Sequence, residues 1–194
     1  MELDANYWNE RYLSNTTRWD LNGPSTPIKE YINQLTDKDI KILIPGCGNA
    51  YEAKYLVENG FTNVTLIDIS DVLVNELKQK FKDFKNVTII NQDFFELEGE
   101  FDLILEQTFF CALNPKLRLK YVAKMVQLLN QNGKLVGLLF NTDFNNPFPP
   151  FGGSLNEYQD LFKKDFNLIT LNKCYNSIPP RAGMELFIQF KVKK

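Results

Sequence analysis

The sequence predicts an α/β fold in which helices cover both faces of a mainly parallel β-sheet. Short runs of β-branched and apolar residues alternate with segments of helical periodicity along most of the chain. Such alternation places parallel strands side by side and packs helices against both faces. The first run ends in the glycine turn Pro45-Gly46-Cys47-Gly48. The last two runs have no helix between them, which predicts an antiparallel hairpin at one edge of the sheet.

The first half of the sheet is predicted from residues 40 to 105. Residues 50–59 form a predicted helix that stops at Gly60, and Ser70 is a suitable N-cap for the next helix. The apolar face of that second helix contains Leu73, Leu77 and Phe81. The predicted strands of this half are residues 40–44, 64–68, 87–90 and 101–105.

The C-terminal half begins with a longer helix that Pro115 opens. Its apolar positions recur at helical spacing and are Leu119, Val122, Met125, Val126 and Leu129. The remaining elements are a turn at 131–133, a fifth strand at 134–140, a loop at 141–153, a helix from Ser154 to about Lys164, and strands at 167–174 and 185–192.

The segment before residue 40 is predicted to form an N-terminal helical cap on the sheet. Trp8 and Tyr12 lie one turn apart on a short helix, and Trp19-Asp20 follow in a loop. Thr26-Pro27 begins another helix, because proline is favoured in the first helical turn.

The length of 194 residues is that of one domain, and the composition shows no break along the chain. We therefore expect a single domain over residues 1–194, in which residues 1–38 form the cap and 39–194 form the core. A chain of this size buries roughly 70% of its unfolded surface, so its core needs no metal or disulfide.

The composition also narrows the chemistry. The chain has no histidine, which excludes Ser-His-Asp and Cys-His catalysis and removes the commonest metal ligand. Its three cysteines lack paired spacing, so we expect no metal site and a reducing compartment, the cytoplasm. The formal net charge of −2 gives no basic field for nucleic acid or an anionic membrane. Neither a signal peptide nor an apolar run of ~20 residues is present in the sequence.

The glycine turn is the first candidate ligand site. Gly46 and Gly48 follow the first strand, where bare backbone lets a ligand approach closely. Tyr51 stands where a dinucleotide-binding GxGxxG motif has its third glycine, and no Lys-Ser/Thr pair follows, so a phosphate site is disfavoured. A simple tight turn between strand and helix remains the alternative.

Two acidic residues follow the next strands. Asp68 ends the second strand, where a carboxylate accepts hydrogen bonds from ribose hydroxyls, although it also suits the start of the helix that Ser70 caps. Asp93-Phe94 follows the third strand and is suited to an adenine amino group and ring, or alternatively to a polar turn with a core phenylalanine. Combined with the glycine turn, these residues indicate a nucleoside without a phosphate site, which favours S-adenosylmethionine over NAD or ATP.

The aromatic residues of the cap fit the cationic part of that cofactor. A sulfonium cation is attracted to electron-rich ring faces, which Trp8, Tyr12 and Trp19 can supply. The alternative is that these rings hold the cap together by hydrophobic contact. The two interpretations are compatible, since one ring can do both.

From about Tyr7 to its C-terminus, the chain resembles the thiopurine S-methyltransferase family, and within it the halide/thiol methyltransferase branch. The Trp-Asp-x-x-Gly and Phe-Phe-Cys-Ala segments are narrower signals than the glycine turn. The segments that carry the resemblance are Tyr7-Trp8-x-x-Arg11-Tyr12, Trp19-Asp20-x-x-Gly23-x-x-Thr26-Pro27, Leu43-Ile44-Pro45-Gly46-Cys47-Gly48, Asp68-Ile69-Ser70, Asp93-Phe94-Phe95, Phe109-Phe110-Cys111-Ala112 and Ile178-Pro179-Pro180-Arg181-x-Gly183.

The resemblance implies a Rossmann-like, seven-stranded class I methyltransferase fold. It also implies transfer of a methyl group from S-adenosylmethionine to a small soft nucleophile: a thiol, sulfide, halide or thiopurine-like compound. The cofactor-binding residues implied are Trp8, Tyr12 and Trp19 over the methionine and sulfonium part, Gly46 and Gly48 at the glycine turn, Asp68 at the ribose, Asp93 and Phe94 at the adenine, and Gln107.

The chain departs from the family pattern at three positions. Tyr12 and Gln107 stand where relatives often carry Trp, and Tyr or Arg, respectively. Phe151 stands where plant relatives carry a tyrosine proposed to act in catalysis, so no hydroxyl-based role transfers to it.

On the acceptor side, we expect two polar residues and a set of apolar walls. Asp20 and Arg181 are the polar residues, although Asp20 also suits a loop cap and Arg181 a surface ion pair. The expected walls are Phe109, Phe110, Pro150 and Phe151. No residue is expected to act as a catalytic acid or base, and Cys111 is expected to be an inert packed thiol, since an apolar setting raises a thiol pKa.

Two other functions stay open from the sequence. One is a methyltransferase with a different small or macromolecular acceptor, and the other is a nucleoside-binding protein without turnover. The absence of a basic patch disfavours nucleic acid, so we expect a small-molecule acceptor. The sequence is compatible with a monomer and does not fix the oligomeric state.

Overall fold

A computed structural model describes residues 2–194 and contains a seven-stranded sheet of order β3-β2-β1-β4-β5-β7-β6. The first five strands run parallel, and β7 pairs antiparallel with both β5 and β6. The predicted α/β class and the antiparallel C-terminal hairpin are therefore confirmed. The strands are β1 (Ile42–Pro45), β2 (Val64–Asp68), β3 (Val87–Asn91), β4 (Phe101–Gln107), β5 (Leu129–Phe140), β6 (Phe166–Lys173) and β7 (Glu185–Val192).

Six α-helices accompany the sheet in the described part of the chain. The predicted N-caps are confirmed, since Ser70 Oγ accepts a hydrogen bond from the Leu73 N–H at 3.2 Å and Ser154 Oγ from the Glu157 N–H at 3.3 Å. The helices are α1 (Ala5–Leu13), α2 (Thr26–Ile32), α3 (Tyr51–Glu58), α4 (Asp71–Lys80), α5 (Arg118–Leu128) and α6 (Leu155–Phe162).

Two apolar layers cover the sheet, one on each face. Along β1, Leu43 packs into one layer, while its neighbours Ile42 and Ile44 pack into the other, as the alternation of a strand requires. Helices α2, α3 and α4 bury their apolar faces in the layer of Ile42 and Ile44, and α5 and α6 bury theirs in the layer of Leu43. Both faces are thus covered by helices, as predicted.

The start of α5 differs from the prediction. Pro115 opens a 3₁₀ turn, and the α-helix itself begins at Arg118. The inward face then includes Tyr121, which is fully buried, and Leu119 lies on the outer face with 75% of its surface exposed. The prediction of Leu119 as an apolar-face residue is wrong because the inward positions fall at residues 118, 121, 122, 125 and 128.

Strand β5 also begins earlier than predicted. The helix ends at Leu128, and Leu129 already pairs with Phe101 of β4. The next paired residue of β5 is Lys134, opposite Leu103, so residues 130–133 form an irregularity in the strand, with Asn132 at a φ of +70°. The polar turn predicted at 131–133 is thus absorbed into the strand as a bulge.

The N-terminal segment divides into two parts. Helix α2 buries Ile28 and Ile32 completely and belongs to the helical layer of the sheet. Helix α1 has no buried residue and rests against α4. We call α1 and the loop that follows it, through Gly23, the lid. Within residues 2–194, none of the helices has the length and apolarity needed to cross a membrane.

The closest approach between β4 and β5 yields a stability prediction at Gly137. A Cβ added there would lie 2.1 Å from the Glu106 carbonyl oxygen, which belongs to a rigid strand. We expect Gly137→Ala to lower the free energy of unfolding by about 1–3 kcal/mol or more, as overpacking does. Urea denaturation measures the effect. Gly23→Ala is the control, because nothing lies within 4 Å of its added Cβ, and an equal loss in both variants would contradict the explanation.

Candidate functional site

A cleft of about 1180 Å³ lies beyond the carboxyl ends of the central strands, under the lid. Its centre is the junction of β1 and β4, where the strand order reverses, which is the usual ligand position in an open α/β sheet. The site residues expected from the sequence that line this cleft are Trp8, Tyr12, Trp19, Asp20, Gly46, Gly48, Asp68, Asp93, Phe94, Gln107, Phe109, Pro150 and Arg181.

The glycine turn after β1 presents bare backbone to the cleft. Gly46 and Gly48 have φ values of +54° and +50°, in the left-handed region that favours glycine. A Cβ at Gly46 would lie 2.2 Å from Cδ2 of Phe109, so the ring of Phe109 packs directly over this residue. The turn therefore requires glycine at position 46 for its backbone conformation and for this contact.

Asp68 ends β2 and faces the cleft with 8% of its surface exposed. Its Oδ1 accepts a hydrogen bond from the Ser70 N–H at 3.0 Å. Burial raises the pKa of this carboxyl to about 6, so the group is ionised at neutral pH. An ionised carboxylate in this position is an acceptor for hydroxyl donors of a ligand.

The lid supplies three aromatic rings to the cleft. The rings of Trp8 and Trp19 meet edge to face at 5.6 Å between centroids, and those of Tyr12 and Trp19 at 6.0 Å. Burial raises the pKa of Tyr12, which keeps its hydroxyl neutral. The three rings form one cluster above the glycine turn, since the nearest atom to a Cβ placed on Gly48 is Tyr12 Oη at 3.9 Å.

Asn9, which the sequence analysis did not single out, fixes one end of the lid. Its Oδ1 accepts a hydrogen bond from Ser70 Oγ at 2.6 Å, and its Nδ2 donates to Asp71 Oδ1 at 2.6 Å. Helix α1 is thereby tied to the first turn of α4, beside Asp68. No sequence signal could have found this contact, because an asparagine on an exposed helix is usually solvated.

Asp20 and Arg181 fix the other end of the lid. Asp20 Oδ2 accepts hydrogen bonds from Asn49 Nδ2 and from Tyr51 Oη, which join the lid to the helix that follows the glycine turn. Arg181 has 8% of its surface exposed, and its Nη2 donates to the Trp19 carbonyl oxygen at 2.9 Å. Both residues line the cleft and also hold the lid, and their predicted contact with the acceptor stays a prediction.

A buried carboxylate under the cleft shapes the turn after β4. Glu106 is fully buried, and its Oε1 accepts hydrogen bonds from the backbone N–H groups of Phe109 at 2.8 Å and Phe110 at 2.9 Å. Its Oε2 accepts a hydrogen bond from Tyr121 Oη at 2.6 Å. Burial raises the pKa of Glu106 to about 7. The sequence analysis missed this residue, although an acidic residue in an apolar strand is a signal for such a role.

The remaining residues expected on the cofactor side, Asp93, Phe94 and Gln107, also line the cleft. Phe94 packs edge to face against Phe109 with centroids 5.1 Å apart. Asp93 Oδ1 accepts a hydrogen bond from the Phe95 N–H at 2.8 Å and so begins a short 3₁₀ turn. Gln107 Oε1 accepts a hydrogen bond from Ser25 Oγ at 3.3 Å.

One of the expected acceptor walls, Phe110, is wrong, and the role of Phe151 stays a prediction. Phe110 has only 1% of its surface exposed and packs in the core against Tyr121, with centroids 4.9 Å apart, because its backbone is turned inward at Glu106. Phe151 lies beside a smaller neighbouring pocket of about 160 Å³ that Arg118 also lines. The apolar residues that line the cleft on this side, besides Phe109 and Pro150, are Phe140, Phe144, Phe148, Pro149 and Met184.

The cysteines are buried thiols, as expected. Cys47, Cys111 and Cys174 are all free, and the first two line the cleft with 8% of their surface exposed. Burial raises the pKa of Cys47 and raises that of Cys111 to about 12. Cys111 Sγ donates a hydrogen bond to the Thr108 carbonyl oxygen at 3.2 Å, so the side chain is packed as expected, and its raised pKa disfavours the reactive thiolate.

The sheet order and this cleft define the class I S-adenosylmethionine-dependent methyltransferase fold. The 1,6-didemethyltoxoflavin-N1-methyltransferase of Burkholderia thailandensis, solved with S-adenosylhomocysteine, superposes with a TM-score of 0.81 at 18% identity, covering 98% of this chain and 87% of that one. The magnesium protoporphyrin IX methyltransferase of Synechocystis, also solved with S-adenosylhomocysteine, gives a TM-score of 0.77 at 14% identity and covers 97% of both chains.

The chain belongs to the thiopurine S-methyltransferase family, whose model matches residues 3–186. It is therefore an S-adenosylmethionine-dependent methyltransferase, as the sequence predicted. A probable thiol methyltransferase 2 of Arabidopsis thaliana is 30% identical over 98% of this chain and 86% of its own length. The thiocyanate methyltransferase 1 of Brassica oleracea is 26% identical over 95% of this chain and 84% of its own length. A thiopurine S-methyltransferase of Vibrio parahaemolyticus is 24% identical over 82% of this chain and 82% of its own length.

The tether at Asn9 yields a prediction about the lid. We expect Asn9→Ala to speed amide hydrogen exchange across residues 5–13 and to weaken binding of S-adenosylhomocysteine several-fold, because α1 loses its three side-chain hydrogen bonds to Ser70, Asp71 and Val72 at the start of α4. Hydrogen-exchange mass spectrometry and calorimetry measure the two effects. Asn6→Ala is the matched control, since Asn6 is an exposed asparagine of the same helix. Equal exchange in the two variants would show that the tether does not hold the lid.

Glu106 yields a pH prediction with a definite sign. Its pKa rises from 4.5 to about 7 on folding, so between these values the folded state binds a proton that the unfolded state does not. The folded protein is therefore stabilised as pH falls through this window, by up to ~1.4 kcal/mol per pH unit.

Glu106→Gln removes this contribution, so we expect its loss of stability relative to the unsubstituted protein to be larger at pH 5 than at pH 8. Asp68, whose pKa of about 6 is also raised by burial, acts with the same sign in both proteins and cancels in the comparison. Urea denaturation at the two pH values measures the difference. If Glu106→Gln loses equal unfolding free energy at both pH values, or loses more at pH 8, the raised pKa of Glu106 is contradicted.

Proposed function

We propose that this methyltransferase transfers its methyl group to a small thiol or a related soft nucleophile: hydrogen sulfide, a halide, thiocyanate or a thiopurine-like thiol. The observation that carries the proposal is a single cleft in which the aromatic lid, Asp68 and the glycine turn face an apolar wall. The relatives support the acceptor class, since they are named for thiols, thiocyanate and thiopurines.

The residues of the cleft fit S-adenosylmethionine. Asp68 is a buried, ionised acceptor suited to ribose hydroxyls, and Gly48, whose backbone N–H donates to it, leaves this part of the turn without a side chain. Asp93 and Phe94, after β3, would hold the adenine, and Gln107 would contact the cofactor from the end of β4. The edge-to-face cluster of Trp8, Tyr12 and Trp19 would take the sulfonium, as aromatic groups do for cations.

The other side of the cleft suits a polarisable anion. Its walls include Phe109, Phe140, Phe144 and Met184, which offer no hydrogen bonds from their side chains. Arg181 adds a buried positive charge at this wall. A soft anion such as a thiolate or iodide is more weakly hydrated than a hard oxyanion, so such a wall disfavours it less.

When bound, S-adenosylmethionine supplies a methyl group already activated by its positive sulfur. The acceptor sulfur or halide forms the new bond to carbon as the bond from carbon to the sulfonium breaks, and the bonding pair stays with the departing sulfur. An acceptor that arrives ionised needs no general base, which agrees with a chain without histidine. The protein's contribution is alignment, which supplies ~7–11 kcal/mol in favourable cases, together with exclusion of water by the lid.

The setting of the reaction follows from the same features. The three free cysteines support a reducing compartment such as the cytoplasm. The acceptor space lies inside the cleft, under the lid, which supports a small molecule over a nucleic acid or protein acceptor.

The direct test is product formation. The purified protein is incubated with S-adenosylmethionine and with sulfide, iodide, thiocyanate, an aromatic thiol or a thiopurine. Headspace gas chromatography detects methanethiol or methyl iodide, and liquid chromatography detects the methyl thioethers and methyl thiocyanate. We expect turnover with at least one thiol or sulfide. Tight binding of S-adenosylhomocysteine without any of these products would refute the proposed acceptor class.

Asp68 makes cofactor binding pH-dependent. Because burial raises its pKa to about 6, the carboxylate that accepts the ribose hydroxyls is lost below that pH. We expect the affinity for S-adenosylhomocysteine to fall towards tenfold per pH unit below about 6. Asp68→Asn should bind more weakly at pH 7 and lose this part of the pH dependence, which calorimetry between pH 5 and pH 8 measures. Asp83→Asn, at an exposed site, is the control, and an unaltered profile in Asp68→Asn speaks against the ribose contact.

A further inference from the structure

Besides Asp68, a second buried carboxylate, that of Glu52, lies on the wall of the cleft. It stands in the first turn of α3, directly after the glycine turn, and only 6% of its surface is exposed. Its Oε1 accepts a hydrogen bond from the Ser25 N–H at 3.0 Å, at the point where the lid joins α2. Glu52 thus bridges the glycine turn and the root of the lid.

Ser25 is the one other residue that donates a hydrogen bond to this carboxylate within residues 2–194, besides the backbone N–H of Glu52 itself. Within residues 2–194, no other residue donates a hydrogen bond to Oε2, and no ion pair includes Glu52. Glu52 lines the cleft, and its Oε2 is not among the sealed polar side-chain atoms without a partner in this part of the chain, which are Arg118 Nε and Ser177 Oγ. Arg181 faces Glu52, but its guanidinium is bonded to the Trp19 carbonyl and to Glu185.

A buried carboxylate without an ion-pair partner is costly, and burial raises the pKa of Glu52 although the charge of Arg181 opposes that rise. A cationic hydrogen-bond donor from a ligand removes that cost. The sulfonium of S-adenosylmethionine carries charge but no hydrogen to donate, and a soft anionic acceptor is repelled by a carboxylate. The ammonium group of the methionine part carries both the charge and three donors.

We propose that Glu52 is a cofactor-binding residue that accepts a hydrogen bond from the ammonium group of S-adenosylmethionine through Oε2. Ser25, which holds Oε1, orients the carboxylate for this contact. The residue thereby fixes the amino-acid end of the cofactor at the root of the lid. This inference rests on the methyl donor and is independent of which acceptor is methylated.

The test compares two ligands in one variant. S-adenosylhomocysteine carries the ammonium group, and 5′-methylthioadenosine keeps the adenosine and the sulfur but lacks the whole amino-acid part. We expect Glu52→Gln to weaken the first about 10- to 100-fold, the loss typical of a hydrogen bond between charged groups, and the second less than twofold, both by calorimetry. Equal weakening of the two ligands, or no weakening of the first, overturns the proposal.

The control is Glu58→Gln on the same helix, where the half-exposed glutamate pairs with Lys54. It should leave both affinities unchanged. A measurement on the unsubstituted protein keeps the test valid if Glu52→Gln does not fold. There, S-adenosylhomocysteine should bind at least tenfold more tightly than its deaminated analogue, in which hydrogen replaces the amino group. Equal affinities contradict the proposal. A chain that methylates no thiol or halide would refute the acceptor class and leave these binding ratios untouched.

Discussion

The cleft depends on one buried carboxylate, that of Glu106. Its two oxygens join the turn after β4 to helix α5, through two backbone N–H groups and the hydroxyl of Tyr121. A carboxylate buried in the core has few alternative hydrogen-bond donors, so these hydrogen bonds fix the turn in one conformation. The ring of Phe109 is consequently held over Gly46, and the wall between the two strands that meet at the switch point is set.

The lid is built on the opposite principle. Helix α1 has no fully buried residue and packs against the core through Tyr12, while polar contacts hold the lid at its two ends, through Asn9 on one side and Asp20 and Arg181 on the other. A hydrogen bond near the surface can be replaced by hydrogen bonds to water at a small cost in free energy. Exposing buried apolar surface to water costs more. A fixed turn after β4 under a lid held by polar contacts suits a site that a ligand must enter and a product must leave.

Much of this arrangement could be predicted from the sequence. The strands are dense in β-branched residues, and Asp68 and the glycine turn follow their ends, so their meeting at one edge of the sheet follows from chain direction alone. The sequence could not show which of two adjacent phenylalanines, Phe109 or Phe110, faces the cleft. Phe109 faces the cleft and Phe110 the core because Thr108 adopts a φ of +60°, which no pattern of apolar residues reveals.

The residues that were missed act across long stretches of sequence. Asn9 meets Ser70, which lies 61 positions away, and Ser25 meets Glu52 across 27 positions. Their roles are defined by partners that only the folded chain brings together. A lone polar residue on a helix gives the same sequence signal whether it faces water or a buried carboxylate.

The burial of Cys47 and Cys111 has a consequence for an enzyme of this class. Both thiols line a cleft built to expose an electrophilic carbon, and a thiolate there would compete with the intended acceptor and alkylate the protein itself. Burial raises the pKa of both groups, which keeps them protonated and poorly nucleophilic. The apolar surroundings proposed to suit a soft nucleophile thus also disfavour reaction of the chain's own thiols with the methyl donor.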